Sequence, residues 1–386
     1  RVRQIALLRL LGASARAQRV AVAREGLRAG AVGAAIGLIG GAAVSAAGIA
    51  VASGMVSATA PFAGLLSPII LIPPVAVTLT TWVSAWAGSS RVLRVSPLEA
   101  LAASEERDHR EIVRRSPRRV FAVGLLVFGS VVVALGVVAG LFSPYGVLLA
   151  FAGGLLSFVG VAMAAPVLLP PVLRATGRLF GRSAVARLAA QNALRHPERA
   201  SRMTVGVVLG VTLVTMFSAG LDAARAVLVT SAGEPEPAFL TLLSSFSAVM
   251  TALTAVSALI AAVGLVNLLS LGISQRRREL GLLRTLGLST RQVRAMVLLE
   301  AAHLTITSLV VGVALGVLYG WAGAQAVFGS VAIPPSWESP TLVAPAVPVG
   351  TVLVVAVVTA ALTLVATVVP TRRATSVSPI AALAVD

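Results

Sequence analysis

The sequence contains no cysteine, which excludes disulfides and thiolate metal sites. It contains no lysine either; all 31 basic side chains are arginine. Phosphate-cradling P-loops and Schiff-base enzymes both need a lysine, so neither chemistry is available here. Charged residues make up only 12% of the chain and aromatics 4%, whereas a soluble globular domain carries about 25% charged residues. Acids are scarce: 14 against the 31 arginines, a net charge of +17. No carboxylate pair or metal-spaced cluster accompanies His303, and His109 and His196 lie in charged linkers where they are expected to be solvated. No catalytic residue, metal site or cofactor is therefore expected in this chain.

What is present is apolar surface. Of the 386 residues, 57% are hydrophobic, and the mean hydropathy is +0.95. Several runs exceed the 18 or so apolar residues that mark a membrane-spanning helix. The expected fold is an all-α polytopic membrane protein with about eight spans, near 29–53, 62–87, 119–142, 146–173, 203–221, 239–273, 301–323 and 342–369. Every arginine except Arg225 falls in a segment flanking or joining these spans on one side. Arginine excess marks cytoplasmic loops, so both that side and the C-terminus are expected to be cytosolic. The same distribution argues against nucleic acid as a partner, because the charge follows the membrane topology and not one soluble face.

Punctuation divides the chain further. Ser143-Pro144-Tyr145-Gly146 turns the third span into the fourth as an antiparallel hairpin, and Pro166, Pro170 and Pro171 are expected to end that fourth span. Ser183–Arg195 has the pattern of an amphipathic helix lying on the membrane surface. A short acidic loop is expected over 222–238, and Pro345 and Pro348 are expected within the last span.

The strongest internal signal is a repeat. Shifted by 275 positions, Leu7-Leu8-Arg9 overlays Leu282-Leu283-Arg284, and Leu11-Gly12 overlays Leu286-Gly287. Ser14, Arg16, Arg19 and Glu25 overlay Ser289, Arg291, Arg294 and Glu300, and Gly37 and Gly41 overlay Gly312 and Gly316. Each copy closes similarly, Ser96-Pro97-Leu98 against Ser378-Pro379-Ile380. The copies run in the same orientation, as parallel repeats do. Within each, a glycine (Gly12 or Gly287) can end a short helix in the left-handed region. A serine (Ser14 or Ser289) then caps the next helix, with Gln292 in capping-box spacing in the second copy and Ala17, which cannot reciprocate, in the first. Gly33, Gly37 and Gly41 recur every fourth residue in the span after the first turn, and Gly312, Gly316 and Gly320 do so after the second; both stripes are expected to pack helix on helix. Because the chain opens inside the motif, a further segment is expected upstream.

The run Arg276-Arg-Arg-Glu279-Leu-Gly-Leu-Leu-Arg284-Thr-Leu-Gly287-Leu-Ser289, then Arg291-Gln-Val and Glu300 before a glycine-rich span, resembles the FtsX-like permease domain of MacB-type ABC transporter membrane subunits. The likeness covers 275–386 most fully, then 1–101. It implies two FtsX-like transmembrane modules in parallel repeat, at 1–104 (lacking a first span) and 203–386. Between them would lie a cytosolic linker at 105–118, a central transmembrane hairpin at 119–173 and a cytosolic amphipathic linker at 174–202. It further implies that the short helices dock on a separate ATPase, with Ile5, Leu8, Arg9 and Gly12 forming the first coupling element and Glu279, Leu283, Arg284 and Gly287 the second. ATP and magnesium would then belong to that partner, a dimer of ATPase subunits, while membrane lipid and an extracytoplasmic protein are further partners of such a permease in a bacterial cytoplasmic membrane. The sequence departs from the family pattern in two places. Gln4 stands opposite Glu279, and the loop at 222–238 is far smaller than the family's extracytoplasmic domain.

Two other readings stay open on the sequence alone. One is an FtsX-like signalling protein that controls cell-wall enzymes without transporting anything; the other is a secondary transporter, which the scarcity of intramembrane charge disfavours. The arginine run fits either positive-inside anchoring or ATPase contact. The apolar stripe Leu280, Leu283 and Leu286 behind it calls for a burying partner. Glu25 and Glu300, at the mouths of spans, call for pairing, with Arg24, Arg28 and Arg294 as candidates.

Overall fold

A computed structural model describes residues 14–55, 68–93, 117–178, 183–195, 197–231, 277–332 and 339–376. Ile5, Leu8, Arg9 and Gly12, the expected span at 239–273, His109 and His196, and both Ser-Pro tails lie outside the described residues. The described residues are helical throughout their regular structure. Six of their helices are long and apolar enough to cross a membrane, which makes the protein a multi-pass membrane protein. The count of about eight spans is thus six among the described residues. The described part of the expected span at 62–87 is a 3-10 turn (Pro68–Leu71) followed by a helix whose prolines, threonines and tryptophans dilute its apolarity, and that helix is not one of the six.

The chain forms two compact units, 1–114 and 115–386. In the first, α1 (Ala15–Met55) pairs antiparallel with α2 (Ile72–Leu93). Their close approach is made by Gly26, against Ala85, and by Gly30, where an added Cβ would sit 3.0 Å from the Thr81 side chain. Gly33, Gly37 and Gly41, expected to make such a contact, meet no described atom within 4 Å and face outward. Arg19 lies over the Trp86 ring, 3.8 Å from its centroid, and ties the two helices near the head of α1.

In the second unit α3 (Pro117–Gly140) and α4 (Gly146–Gly177) form the expected hairpin. Gly129 and Gly136 on one helix and Gly153 and Gly160 on the other bring the two backbones together. Pro166, Pro170 and Pro171 do not end α4. They lie inside it, and the helix runs on to Gly177. Proline within a spanning helix is tolerated where its neighbours take up the altered backbone, and Ser201 donates to the carbonyl of Ala165, the residue before Pro166, at 3.3 Å. A short helix, α5 (Ala184–Arg195), capped by the Ser183 hydroxyl, leads into α6 (Pro197–Ser231). α6 extends through the expected loop start at 222, and Asp222 and Arg225 pair along it at 3.9 Å.

The short α7 (Arg277–Thr285) precedes α8 (Thr290–Phe328), and α9 (Val349–Ser376) closes the described chain. α8 is the hub; α3, α4, α5, α6 and α9 all pack on it. Gly312, Gly316 and Gly320 face α6. An added Cβ there would lie 2.7 Å from Val211, 2.5 Å from Thr215 and 2.5 Å from the Met216 carbonyl. On another side of α8, Thr305 and Thr363 of α9 share a hydrogen bond of 2.9 Å. Thr305 is the repeat counterpart of Gly30, and Thr363 that of Thr81 once the Ser-Pro tails are aligned, so the α1–α2 and α8–α9 pairs meet at residues that overlay in the sequence. Pro345 and Pro348 lie outside α9, in the non-helical stretch that precedes it. α8 bonds part of the backbone of that stretch. Gln325 bonds both the Thr341 carbonyl (2.8 Å) and the Val343 amide (2.7 Å), and the Trp321 indole donates to the Val343 carbonyl at 2.8 Å.

Candidate coupling site at the α7–α8 turn

α7 has nine residues, with Glu279 in its first turn and Arg284 in its last, each sign placed to favour the helix dipole. Its end is a double-bonded cap. Gly287 takes φ 100°, its amide donates to the Arg284 carbonyl (3.1 Å), and the Leu288 amide donates to the Leu283 carbonyl (3.1 Å). The side chains of Leu288 and Leu283 join the same apolar cluster, the contact that accompanies this type of cap. Ser289 then opens α8 with a reciprocal capping box: the Gln292 amide donates to the Ser289 hydroxyl (3.3 Å), and the Ser289 amide donates to the Gln292 side-chain oxygen (2.9 Å). At the head of α1 only half of this is present, with the Ala17 amide donating to Ser14 at 3.2 Å. Two helices are therefore joined through a turn that leaves few free backbone dihedrals.

The head of α8 does not stand alone. Val293, Met296 and Val297 are buried against Ala189, Val185 and Leu188 of α5, together with Leu283 and Leu288 from the turn. The apolar face of α5 thus packs on protein, on α8 and, through Ala193, on Leu169, Leu173 and Leu304; the expectation that it lies on the membrane surface is corrected accordingly. The expected outward stripe on α7 is corrected too. Leu283 points inward and is half-buried, whereas Leu286 is 71% exposed and Leu282, which the sequence pattern did not single out, is 52% exposed. The Leu280 side chain lies outside the described residues.

Glu300 is half-buried three turns along α8, where Asn192 of α5 donates to its carboxylate at 2.8 Å. The Asn192 contact, a neutral donor from another helix, gave no signal in the sequence. Glu25, its counterpart on α1, is exposed. One turn beyond Glu300, His303 is buried, its Nε2 2.9 Å from the Leu173 carbonyl and 3.1 Å from the Thr176 hydroxyl of α4. Thr307 follows at 2.8 Å from Thr176. Farther along, the Tyr319 and Ser157 hydroxyls lie 2.6 Å apart.

Comparison with known families gives one match: residues 251–379 correspond to the FtsX-like permease C-terminal family. No curated protein and no solved structure matches the chain. The matched stretch contains α7, the Gly287 turn, all of α8 and α9.

Proposed function

We propose, from the premise that residues 251–379 are an FtsX-like permease C-terminal domain, that this protein is the permease subunit of an ABC transporter of the MacB type. The chain supplies the membrane path and no catalytic group of its own. A separate pair of cytosolic ATPase subunits binds ATP and magnesium, and α7 receives their movement. The exposed Leu282 and Leu286 carry the reading. They form the outward side of a short polar helix and of the turn that ends it, while Leu283 packs inward into the protein. Burying a leucine is worth roughly 1.5–3 kcal/mol, so a protein surface covering these two would be held there with useful strength.

The rigid turn supports a mechanical role. A push on α7 cannot be absorbed at Gly287 and Ser289, where four backbone and side-chain hydrogen bonds close the joint. The push therefore reaches α8, a single 39-residue helix. At 1.5 Å per residue α8 is about 58 Å long, well beyond a hydrocarbon core of about 30 Å, so its head projects from the bilayer as a lever. The cargo class that fits such a lever is a lipid, lipoprotein, peptide or drug exported or extracted from the bilayer.

The test is the double substitution Leu282→Asp with Leu286→Asp in the full chain. Its expected outcome is normal membrane insertion with permease-stimulated ATPase activity lowered by about tenfold or more. Wild-type stimulation in that variant would sink the proposal. Leu283→Asp is a poor probe, because Leu283 belongs to the internal cluster and its loss would disturb the head of α8 itself.

A further inference from the structure

Asn192, Glu300, His303 and Thr307 lie on one continuous polar seam. Positions 300, 303 and 307 of α8 are three and four residues apart and so share a face. Successive contacts from that face reach α5 through Asn192 (2.8 Å) and α4 through Leu173 and Thr176 (2.9 and 3.1 Å from His303, 2.8 Å from Thr307). The seam begins where the apolar cluster around the α7–α8 turn ends, so α5 is held to α8 by apolar contacts at Val185, Leu188 and Ala189 and by a polar contact at Asn192. Apolar contacts are non-directional and single out no one partner atom. A hydrogen bond to a carboxylate in a half-buried site fixes register.

We infer that the Asn192–Glu300 hydrogen bond is a strut that sets the register of α5 on α8, so that α5, the α7–α8 turn and the hairpin helix α4 move as one body. Asn192 and Glu300 are positioning residues in this scheme. The inference rests on the coupling role proposed above, and it extends the moving part beyond α7 and α8 to a helix that precedes α6 in the chain. A displacement at α7 would then be delivered to α4 as well as to α8.

The exchange of donor and acceptor tests it. Asn192→Asp places a second carboxylate against Glu300 and removes the donor, while the pair Asn192→Asp with Glu300→Gln restores a donor and an acceptor of the same size in reversed order. The full-length protein in nanodiscs is followed by hydrogen–deuterium exchange over 184–195, and its stimulation of the partner ATPase is measured in parallel. The expected result is exchange in α5 about tenfold faster in the single variant, with stimulation reduced, and return of both towards wild type in the swapped pair. Unchanged α5 exchange in Asn192→Asp overturns the strut, as does a swapped pair that stays as fast as the single variant. The exchange measurement needs no ATPase. If wild-type protein fails to stimulate any ATPase, the coupling proposal falls on its own, while the exchange result still decides the strut.

Discussion

Gly316 and Gly323 occupy the same helix and meet different surroundings. A Cβ at 316 would collide with Thr215 and the Thr212 carbonyl of α6, at 2.5 and 2.9 Å, whereas a Cβ at 323 meets nothing within 4 Å. Gly316→Leu should therefore force α6 and α8 apart and destabilise the protein by about 1–3 kcal/mol, the usual cost of overpacking. Gly323→Ala should be neutral or stabilising by up to about 1 kcal/mol, because alanine is the better helix former. Thermal unfolding of the two variants in detergent gives the comparison; equal behaviour would mean that α6 and α8 do not meet at Gly316. The period-four pattern could not make this distinction. Gly37 and Gly41 share the pattern with Gly312 and Gly316, yet only the second pair is covered by another described helix. A small-residue stripe shows where a backbone could approach, and the neighbour decides whether one does.

Among the elements, the α7–α8 turn is the one whose conformation the local sequence specified. Glycine at 287 and the Ser289–Gln292 pair act over a few residues, so nothing distant is needed to place them. Removing the cap with Ser289→Ala should cost about 1 kcal/mol. It should also raise amide exchange in the first turn of α8, residues 290–293. Gln292→Ala should add a loss of its own, because it removes the second arm, from the Ser289 amide to the Gln292 side-chain oxygen, which Ser289→Ala leaves in place. Exchange over 290–293 no faster in Gln292→Ala than in wild type would show that the second arm contributes nothing. The outward face of α7 was misjudged for a different reason. Leu280, Leu283 and Leu286 are evenly spaced, but the closing bonds at Gly287 turn Leu288 back onto Leu283, and α5 supplies a cluster that takes Leu283 inside. α5 itself was recognisable as amphipathic, although periodicity cannot tell whether an apolar face meets lipid or protein.

At the scale of the whole molecule, the absence of cysteine makes the topology directly measurable. Phe142 and Tyr145, 82% and 78% exposed at the α3–α4 turn, lie at the opposite end of the hairpin from Arg119 and Arg174. If the arginine-bearing ends are cytosolic, Phe142→Cys should react with an impermeant maleimide added outside intact cells. Arg187→Cys, on the exposed side of α5, should react only after the membrane is opened. The reverse pattern would invert the orientation and remove the proposed ATPase surface from the side where ATP is.

The sequence by itself determined the class, an all-helical multi-pass membrane protein, because long apolar runs are a property of composition and order. It also carried the repeat, which shows as matching residue order at a fixed shift, and the turn chemistry, which depends on residues close together along the chain. Tertiary structure alone decided which glycine stripe is covered, that prolines 166, 170 and 171 lie within a continuous helix, and that Asn192 meets Glu300 across 108 positions of sequence. Each of these depends on which surface a third helix happens to present, information that no local pattern contains. The α7–α8 turn lies between the two cases: its backbone follows from a few neighbouring residues, while the leucines it leaves outside were selected by α5.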